Sequence, residues 1–319
     1  MTLEYKTIQV IAHKYNDIIY AISTSEFKKA TNRKLIILGD KDAYDKLPFL
    51  DLFQDIICLK YEYSTVSILL NLFNIWRLRR YIRCECVFFV TPFLVIDQYI
   101  FKISKAKYCV WLEDGMMNYD PMSKESSLLK SSFWASLVKI HVQKALSISD
   151  RLFQKHSICT YLLSPAQATW FYGEKKQLLI DTDGVDFSVV SYLNGKKIFV
   201  GQNLYPNFCS IEKYCESVNV ILNKYSIDYY LPHLYSSNRE KINANIIDLS
   251  KTKLTLEVIS THFSFSVYSF GSSLLYTTKL INSSVVSYLI KVPFYDVSNF
   301  DIINSTVDYV WEFEKKRSE

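Results

Sequence analysis

The chain is poor in the residues that punctuate loops, with only seven glycines and seven prolines in 319 residues. Average usage would give about three times as many glycines and twice as many prolines. That scarcity excludes a collagen-like chain and argues against disordered or low-complexity tracts, and no internal repeat is visible. Cysteine is also sparse: seven residues, Cys58, Cys84, Cys86, Cys109, Cys159, Cys209 and Cys215. An odd count without a C-x-x-C pair supports neither a disulfide framework nor a zinc site, and several of these thiols lie inside apolar runs as small core side chains. Long apolar runs are missing too. The longest, Val66 to Trp76, is interrupted by Ser67, Asn71 and Asn74 and falls well short of the ~20 residues that cross a bilayer. The first residues, Met1 to Asp17, lack the basic start, apolar middle and small-residue cleavage site of a secretory signal. The expectation is a cytoplasmic protein.

What is present is a folding composition: 49% of residues are apolar, with 24 tyrosines and 20 phenylalanines. The length suits two domains of ~150 residues. Net charge is +5, spread along the chain, with the densest cluster at Arg77, Arg79, Arg80 and Arg83 beside Trp76. The cluster reads as a solvated helix face, or as a patch for an anionic membrane surface or acidic glycan, which would put the protein peripherally at the inner face of the plasma membrane. No motif supports nucleic-acid binding, and the sequence leaves the oligomeric state open.

Short apolar runs alternate with amphipathic stretches. Strands are expected at Thr7 to Ala12, Lys34 to Leu38, Asp55 to Leu59, Val87 to Val90, Lys107 to Leu112, Ser157 to Leu163 and Gln177 to Ile180. Helices are expected at Asn16 to Ala30, Thr65 to Arg83 and Leu128 to Ile148. After a turn-rich segment from Asp181 to Lys197 the alternation restarts: strands at Lys197 to Val200, Asp228 to Leu231 and Ser266 to Phe270, helices at Ile211 to Tyr225 and Leu274 to Lys279. The fold class is therefore α/β and GT-B-like, two Rossmann-type doubly wound domains with an interdomain cleft. Residues 1–185 are expected to form the N-terminal domain and 196–298 the second, while 299–319 are expected to form a C-terminal helix that could pack back on the first.

The stretch that carries most chemistry is Tyr108 to Tyr119, YCVWLEDGMMNY. An apolar run enters Glu113, Asp114 and Gly115, as a buried parallel strand would deliver two carboxylates to the edge where ligands collect. Taken alone it is also a strand ending in a solvated acidic turn. Strand ends in the second half present Gly201, Gln202 and Asn203, then His233, then Gly271, Ser272 and Ser273. A carboxylate can take a proton from a hydroxyl nucleophile, while a histidine, serine hydroxyls and helix-start amides can hold a leaving phosphate. A Ser-Ser pair is equally a common helix cap, and His233 could be a core or surface histidine. The other histidines, His13, His141, His156 and His262, have no ligand spacing, so no metal is expected.

In this order the residues resemble the bacterial sialyltransferases of glycosyltransferase family 52 and their polysialyl and capsular relatives, whose motifs are D/E-D/E-G, H-P and S-S/T. The match is LEDG at 112–115, YYLPHL at 229–234 and VYSFGSSLL at 267–275, with Glu257 in LTLEVIS upstream; it spans about Cys109 to Lys279. The resemblance implies an inverting transfer of sialic acid from CMP-sialic acid to a galactose-type hydroxyl of a capsular polysaccharide or lipooligosaccharide, without a cofactor or metal. An α2,3 linkage is the commonest outcome among such relatives, and the acceptor itself is not specified. Glu113 would be the general base and Asp114 would orient the turn. His233 would meet the leaving phosphate of CMP, Gly271, Ser272 and Ser273 would bind it, Glu257 would hold ribose or base, and Gly201, Gln202 and Asn203 would line the donor side. The histidine motif departs from the pattern: Leu231 and Leu234 occupy the places of lysine and proline, leaving Arg239 or Lys241 to supply the positive charge.

Two rivals stand beside this reading. LLIDTDGVDFS at 178–188 resembles the nucleophile loop of haloacid-dehalogenase-type phosphatases, with Asp181 as nucleophile, Asp183 as acid/base and Mg²⁺ between them; the same D-x-D could serve a metal-dependent sugar transferase, or be a linker turn. A non-catalytic scaffold in glycan assembly is the other.

Overall fold

Strand Thr7–Ala12 (β1) is buried on both faces from Ile8 onward, which is why its residues, apolar from Ile8 but for the buried Gln9, do not alternate with exposed polar ones. The protein is described from a computed structural model, over residues 5–39, 49–60, 65–90, 94–119, 140–149, 153–205, 208–233, 241–249, 254–297 and 301–313. The chain divides into two units, Met1–Val185 and Asp186–Glu319.

In the first unit β1 is followed by helices Tyr15–Ile22 (α1) and Ser25–Lys29 (α2), then Asn32–Leu38 (β2), Asp55–Leu59 (β3), helix Thr65–Arg77 (α3), Cys86–Phe89 (β4), helix Val95–Ser104 (α4), Tyr108–Trp111 (β5), Ser157–Leu162 (β6) and Glu174–Gln177 (β7). All pairings are parallel, in the order β3-β2-β1-β4-β5-β6-β7. The chain winds outward from β1 to β3, then α3 carries it back across the sheet to β4. The strand order reverses between β1 and β4, and the carboxyl ends there form the ligand-collecting crevice of such sheets. One core face joins Ile11, Ile36, Val87, Phe89 and Trp111 from the strands to Ile75 of α3, Ile100 and Phe101 of α4, and Phe153. Phe153 packs edge-on against Phe89 at 4.9 Å and Trp111 at 5.3 Å.

The expected helix from Asn16 to Ala30 is two helices. Ser23 and Thr24 turn their hydroxyls onto the backbone: Ser23 Oγ donates to Ile19 O at 2.6 Å, and Thr24 Oγ1 accepts from Phe27 N at 3.2 Å, capping α2. This is the competition by which short hydroxyl side chains favour caps over helix interiors. Strand β7 lies three residues earlier than expected. Thr160 fastens Tyr172 through both backbone groups (2.8 and 2.9 Å), which sets Glu174 opposite Cys159. An edge strand of Glu and Lys carries no apolar signal. Helix α3 stops at Arg77, with turns beyond it. Of the expected helix from Leu128 to Ile148, residues 128–139 lie outside the described residues and 140–145 are helical.

The second unit contains Lys197–Val200 (β8), helix Ile211–Lys224 (α5), Tyr229–Leu231 (β9), Asn245–Ile246 (β10), helix Leu256–Ser260 (α6), Ser266–Ser269 (β11), helix Leu274–Ile281 (α7), Val286–Lys291 (β12), helix Asp301–Thr306 (α8) and Tyr309–Glu312 (β13). It too is all parallel, in the order β10-β9-β8-β11-β12-β13, reversing between β8 and β11. The expected C-terminal helix is instead the short α8 followed by β13, which pairs with β12 and so extends this sheet. Aromatic side chains select the strand: Tyr309 stacks on Tyr288 at 4.8 Å, and Trp311 stacks on Tyr225 at 4.1 Å.

Candidate active site

At the strand reversal of the first unit, the backbone itself delivers chemistry. The residue after β1 is His13 and the next is Lys14. Asp17, fully buried in the first turn of α1, accepts from both backbone amides through Oδ2, His13 N at 2.7 Å and Lys14 N at 3.1 Å. This fixes the β1–α1 turn, with the third helical residue reaching back to the amides of the N-cap Lys14 and of His13 before it. His13 Nε2 lies 3.1 Å from both carboxylate oxygens of Asp97, which is buried in the first turn of α4. Burial works against a charged imidazole, but the Asp97 charge and hydrogen bond outweigh it, so the His13 pKa is raised above 6.5.

Glu113 and Asp114 follow β5 at the neighbouring strand end, and they differ in surroundings. Glu113 is 1% exposed. Its Oε2 accepts from Tyr119 Oη at 2.6 Å and Leu163 N at 2.8 Å, while Oε1 is buried with no hydrogen-bond partner. Burial pushes this carboxyl up to about 8, against the pull of those two donors, and Asp114 adds to the rise. Asp114 is partly open, its side chain 18% exposed, with Lys14 Nζ 3.8 Å away. Burial raises it to about 6; Lys14 opposes the rise and Asp17 adds to it. The turn that separates the two acids is set by Asn118, whose Oδ1 accepts from Asp114 N at 2.7 Å, and by Gly115 at φ +65°. A partly open carboxylate, a carboxylate-held imidazole and a lysine at one strand reversal can accept a proton and steady the charge that results.

The second unit assembles its own strand ends. Ser269, the last residue of β11, donates its hydroxyl to Val200 O at 2.9 Å; the same Oγ lies 3.4 Å from Gln202 Oε1 and accepts from Ser272 N at 3.4 Å. Gln202 N donates to Tyr214 Oη at 2.8 Å. The Gly201-Gln202 turn and the Gly271-Ser272-Ser273 turn are therefore brought together at the start of α7, where Ser272 Oγ accepts from Leu274 N at 3.3 Å. Gly201 leaves no room for a Cβ, which would lie 2.4 Å from the Tyr230 hydroxyl, and Gly271 takes φ +140°. Asn203 is exposed beside this turn. His233 follows β9, next to β8, and burial lowers its pKa.

Glu257, Lys241 and the D-x-D-G loop make their described contacts elsewhere. Glu257 sits in the first turn of α6, whose far end is tied to the far end of α7 by Asn282, which donates to Ser260 O and Phe263 O. Lys241 pairs with Glu212 at 3.5 Å, and Leu234 and Arg239 lie outside the described residues. In the D-x-D-G loop, Asp181 pairs with Lys28 at 2.5 Å and accepts from Asp183 N at 3.0 Å, which holds its pKa below 3.8. The loop follows the edge strand β7 rather than a central strand. Among the described residues no group of three or more His, Cys, Asp or Glu is arranged to hold a metal ion.

Sequence reading missed His13, Lys14, Asp17, Asp97 and Ser269. The signal for His13 was available, because the strand-end rule that selects Glu113 applies equally to the residue after Ala12.

No family model and no curated protein matches this chain. Solved structures do. Spinosyn forosaminyltransferase SpnP is 8% identical, with a TM-score of 0.54 over 98% of this chain and 87% of that one. The UDP-N-acetylglucosamine 2-epimerase of Rickettsia bellii is 11% identical, with a TM-score of 0.52 over 96% and 88%. The glycotransferase of kitacinnamycin is 8% identical, with a TM-score of 0.50 over 98% and 87%. The fold is GT-B. At these identities the likeness is one of fold, shared by transferases and epimerases alike, and none of the three is a sialyltransferase. The family-52 likeness rests on the three motifs alone.

Proposed function

We propose that this protein is a glycosyltransferase that moves a sugar from a nucleotide donor to an acceptor hydroxyl. The observation that carries the reading is the proton-accepting cluster of Asp114, Lys14 and the His13–Asp97 pair at the strand reversal of the first unit. The second unit supplies the complementary feature, serine hydroxyls and backbone amides at the start of α7, suited to a leaving phosphate. More narrowly, the motifs favour CMP-sialic acid as donor and a galactose-type hydroxyl of a capsule or lipooligosaccharide as acceptor. Ser272, Ser273 and His233 would face the CMP phosphate. A leaving monophosphate carries less charge than a diphosphate, so the proposal includes no metal.

The motif order gives the base role to Glu113. Its burial and its two donors favour a division in which Asp114 takes the proton and Glu113, through Tyr119 and Leu163, holds the turn. The transition state at the tertiary anomeric carbon of sialic acid is oxocarbenium-like, so the work left to the protein is positioning, base assistance and phosphate stabilisation.

The test is to incubate the protein in EDTA with CMP-sialic acid, and separately with a panel of UDP-sugars, each with and without a galactosyl acceptor. Acceptor-stimulated release of CMP supports the narrow reading. Acceptor-stimulated release from a UDP-sugar keeps the transferase and discards the donor. Acceptor-independent interconversion of a UDP-sugar overturns both.

A further inference from the structure

Helix α3 is apolar on two faces. One face, with Leu72 and Ile75, is buried in the first unit's core. On the other, Leu70, Phe73 and Trp76 are 60%, 56% and 46% exposed, and Tyr81 just beyond the helix is 65% exposed. At 3.6 residues per turn the three helical positions span an arc of about 120°. Phe73 stacks on Trp76 with ring centroids 6.1 Å apart, and the Arg79 guanidinium lies 4.3 Å over the Trp76 ring. Between Ser64 and Cys84 the sequence has Arg77, Arg79, Arg80 and Arg83 and no acidic residue. Among the described residues none of the four arginines pairs with a carboxylate.

We infer that this face docks the protein on an anionic lipid surface. Contiguous exposed aromatic and aliphatic groups mark an interaction site. A rim of arginines gives that site its charge complement, and a tryptophan and a tyrosine suit the headgroup boundary, where an apolar body and a polar tip are both satisfied. At 13 residues α3 lies on such a surface rather than across it, and no described helix is long and apolar enough to span a membrane. A symmetric contact between two copies through this face would press two sets of four arginines together. An acidic glycan would satisfy the arginines but leave Leu70 and Phe73 in water. The inference stands apart from the catalytic reading, and its test needs no substrate.

The experiment is flotation of the full chain with vesicles of phosphatidylcholine alone or of phosphatidylcholine and phosphatidylglycerol at about 2:1. Two variants accompany it, Phe73→Ser with Trp76→Ser, and Arg77→Gln with Arg80→Gln and Arg83→Gln. The wild type is expected to float with the anionic vesicles only and to be released by about 0.5 M salt. The triple arginine variant should bind about a hundredfold more weakly, roughly fivefold per charge, and the aromatic variant at least tenfold more weakly, each with an unchanged melting temperature. Equal binding to both vesicle types, no wild-type binding, or anionic binding that survives the aromatic change would overturn the inference. So would a concentration-dependent dimer that the aromatic change abolishes.

Discussion

His13 Nε2 stands 3.1 Å from both carboxylate oxygens of Asp97, although 84 residues separate the two in sequence. The contact exists because β1 and β4 are hydrogen-bonded neighbours, so the turn after one strand meets the helix after the other. It opposes the effect of burial and keeps the imidazole basic. Asp97→Asn is expected to drop the His13 pKa, since burial and the Lys14 charge would then be opposed only by the smaller influence of Asp17, and to cost about 1–3 kcal/mol of stability. Imidazole titration by NMR reads the first and denaturant unfolding the second. An unchanged titration would mean that Asp97 does not control His13.

Glu113 and Asp114 contribute a pH dependence to folding. Glu113 has a folded value of about 8 against an ordinary 4.5, and Asp114 about 6 against 3.8. Both are raised, so their contribution is fully present below the ordinary values and is lost as pH rises through the folded ones. Stability should therefore fall between about pH 4 and 8, and the two shifts together bound the loss at roughly 8 kcal/mol. Glu113→Gln should flatten most of that slope. Melting curves at about pH 5 and about pH 8.5 for both proteins decide it; parallel profiles would contradict the assignment.

A methyl group at Gly201 would sit 2.4 Å from the Tyr230 hydroxyl and 3.2 Å from Leu231 O. Gly201→Ala is expected to destabilise by about 1–3 kcal/mol, since the second unit must shift a buried tyrosine or a strand end to admit it. Pairing the change with Tyr230→Phe should recover part of the loss. No recovery would place the strain on the backbone of β9 instead.

Glu26 is buried with its Oε1 2.7 Å from Lys176 Nζ, and Tyr161 and Ser25 donate their hydroxyls to Oε2. Lys176→Met leaves that carboxylate buried without its cation and is expected to cost about 3 kcal/mol. Glu26→Gln on the same background should restore some of it. A Lys176→Met protein as stable as wild type would show that the tyrosine and serine hydroxyls suffice.

Most of the fold was legible because parallel strands buried on both faces leave apolar runs, interrupted only by Gln9 at Ile8 to Ala12 and unbroken at Cys109 to Leu112. What escaped had other causes. Strand β7 is an edge of Glu and Lys chosen by pairing, which leaves no apolar run, and β13 has only the short run Tyr309 to Trp311 and is held by cross-strand stacking of Tyr309 on Tyr288. In the site, Glu113 and Asp114 stood out because acids follow an apolar run. His13 follows β1 as Glu113 follows β5 and could have been singled out by the same rule; Asp97 could not, because nothing along the chain states that β1 will lie beside β4. Which of two adjacent acids turns inward was equally invisible: that is decided by Tyr119 and Leu163.

The most direct test of the account is steady-state turnover and donor affinity of Asp114→Asn beside Glu113→Gln, with CMP-sialic acid and a galactosyl acceptor. If the partly open carboxylate takes the acceptor's proton, Asp114→Asn should lower kcat by about 10²–10⁴-fold with donor affinity unchanged. Glu113→Gln, which keeps a carbonyl oxygen facing Tyr119 and Leu163, should lower it far less. A large loss of kcat in Glu113→Gln with a near-normal Asp114→Asn would contradict that division and return the base to Glu113.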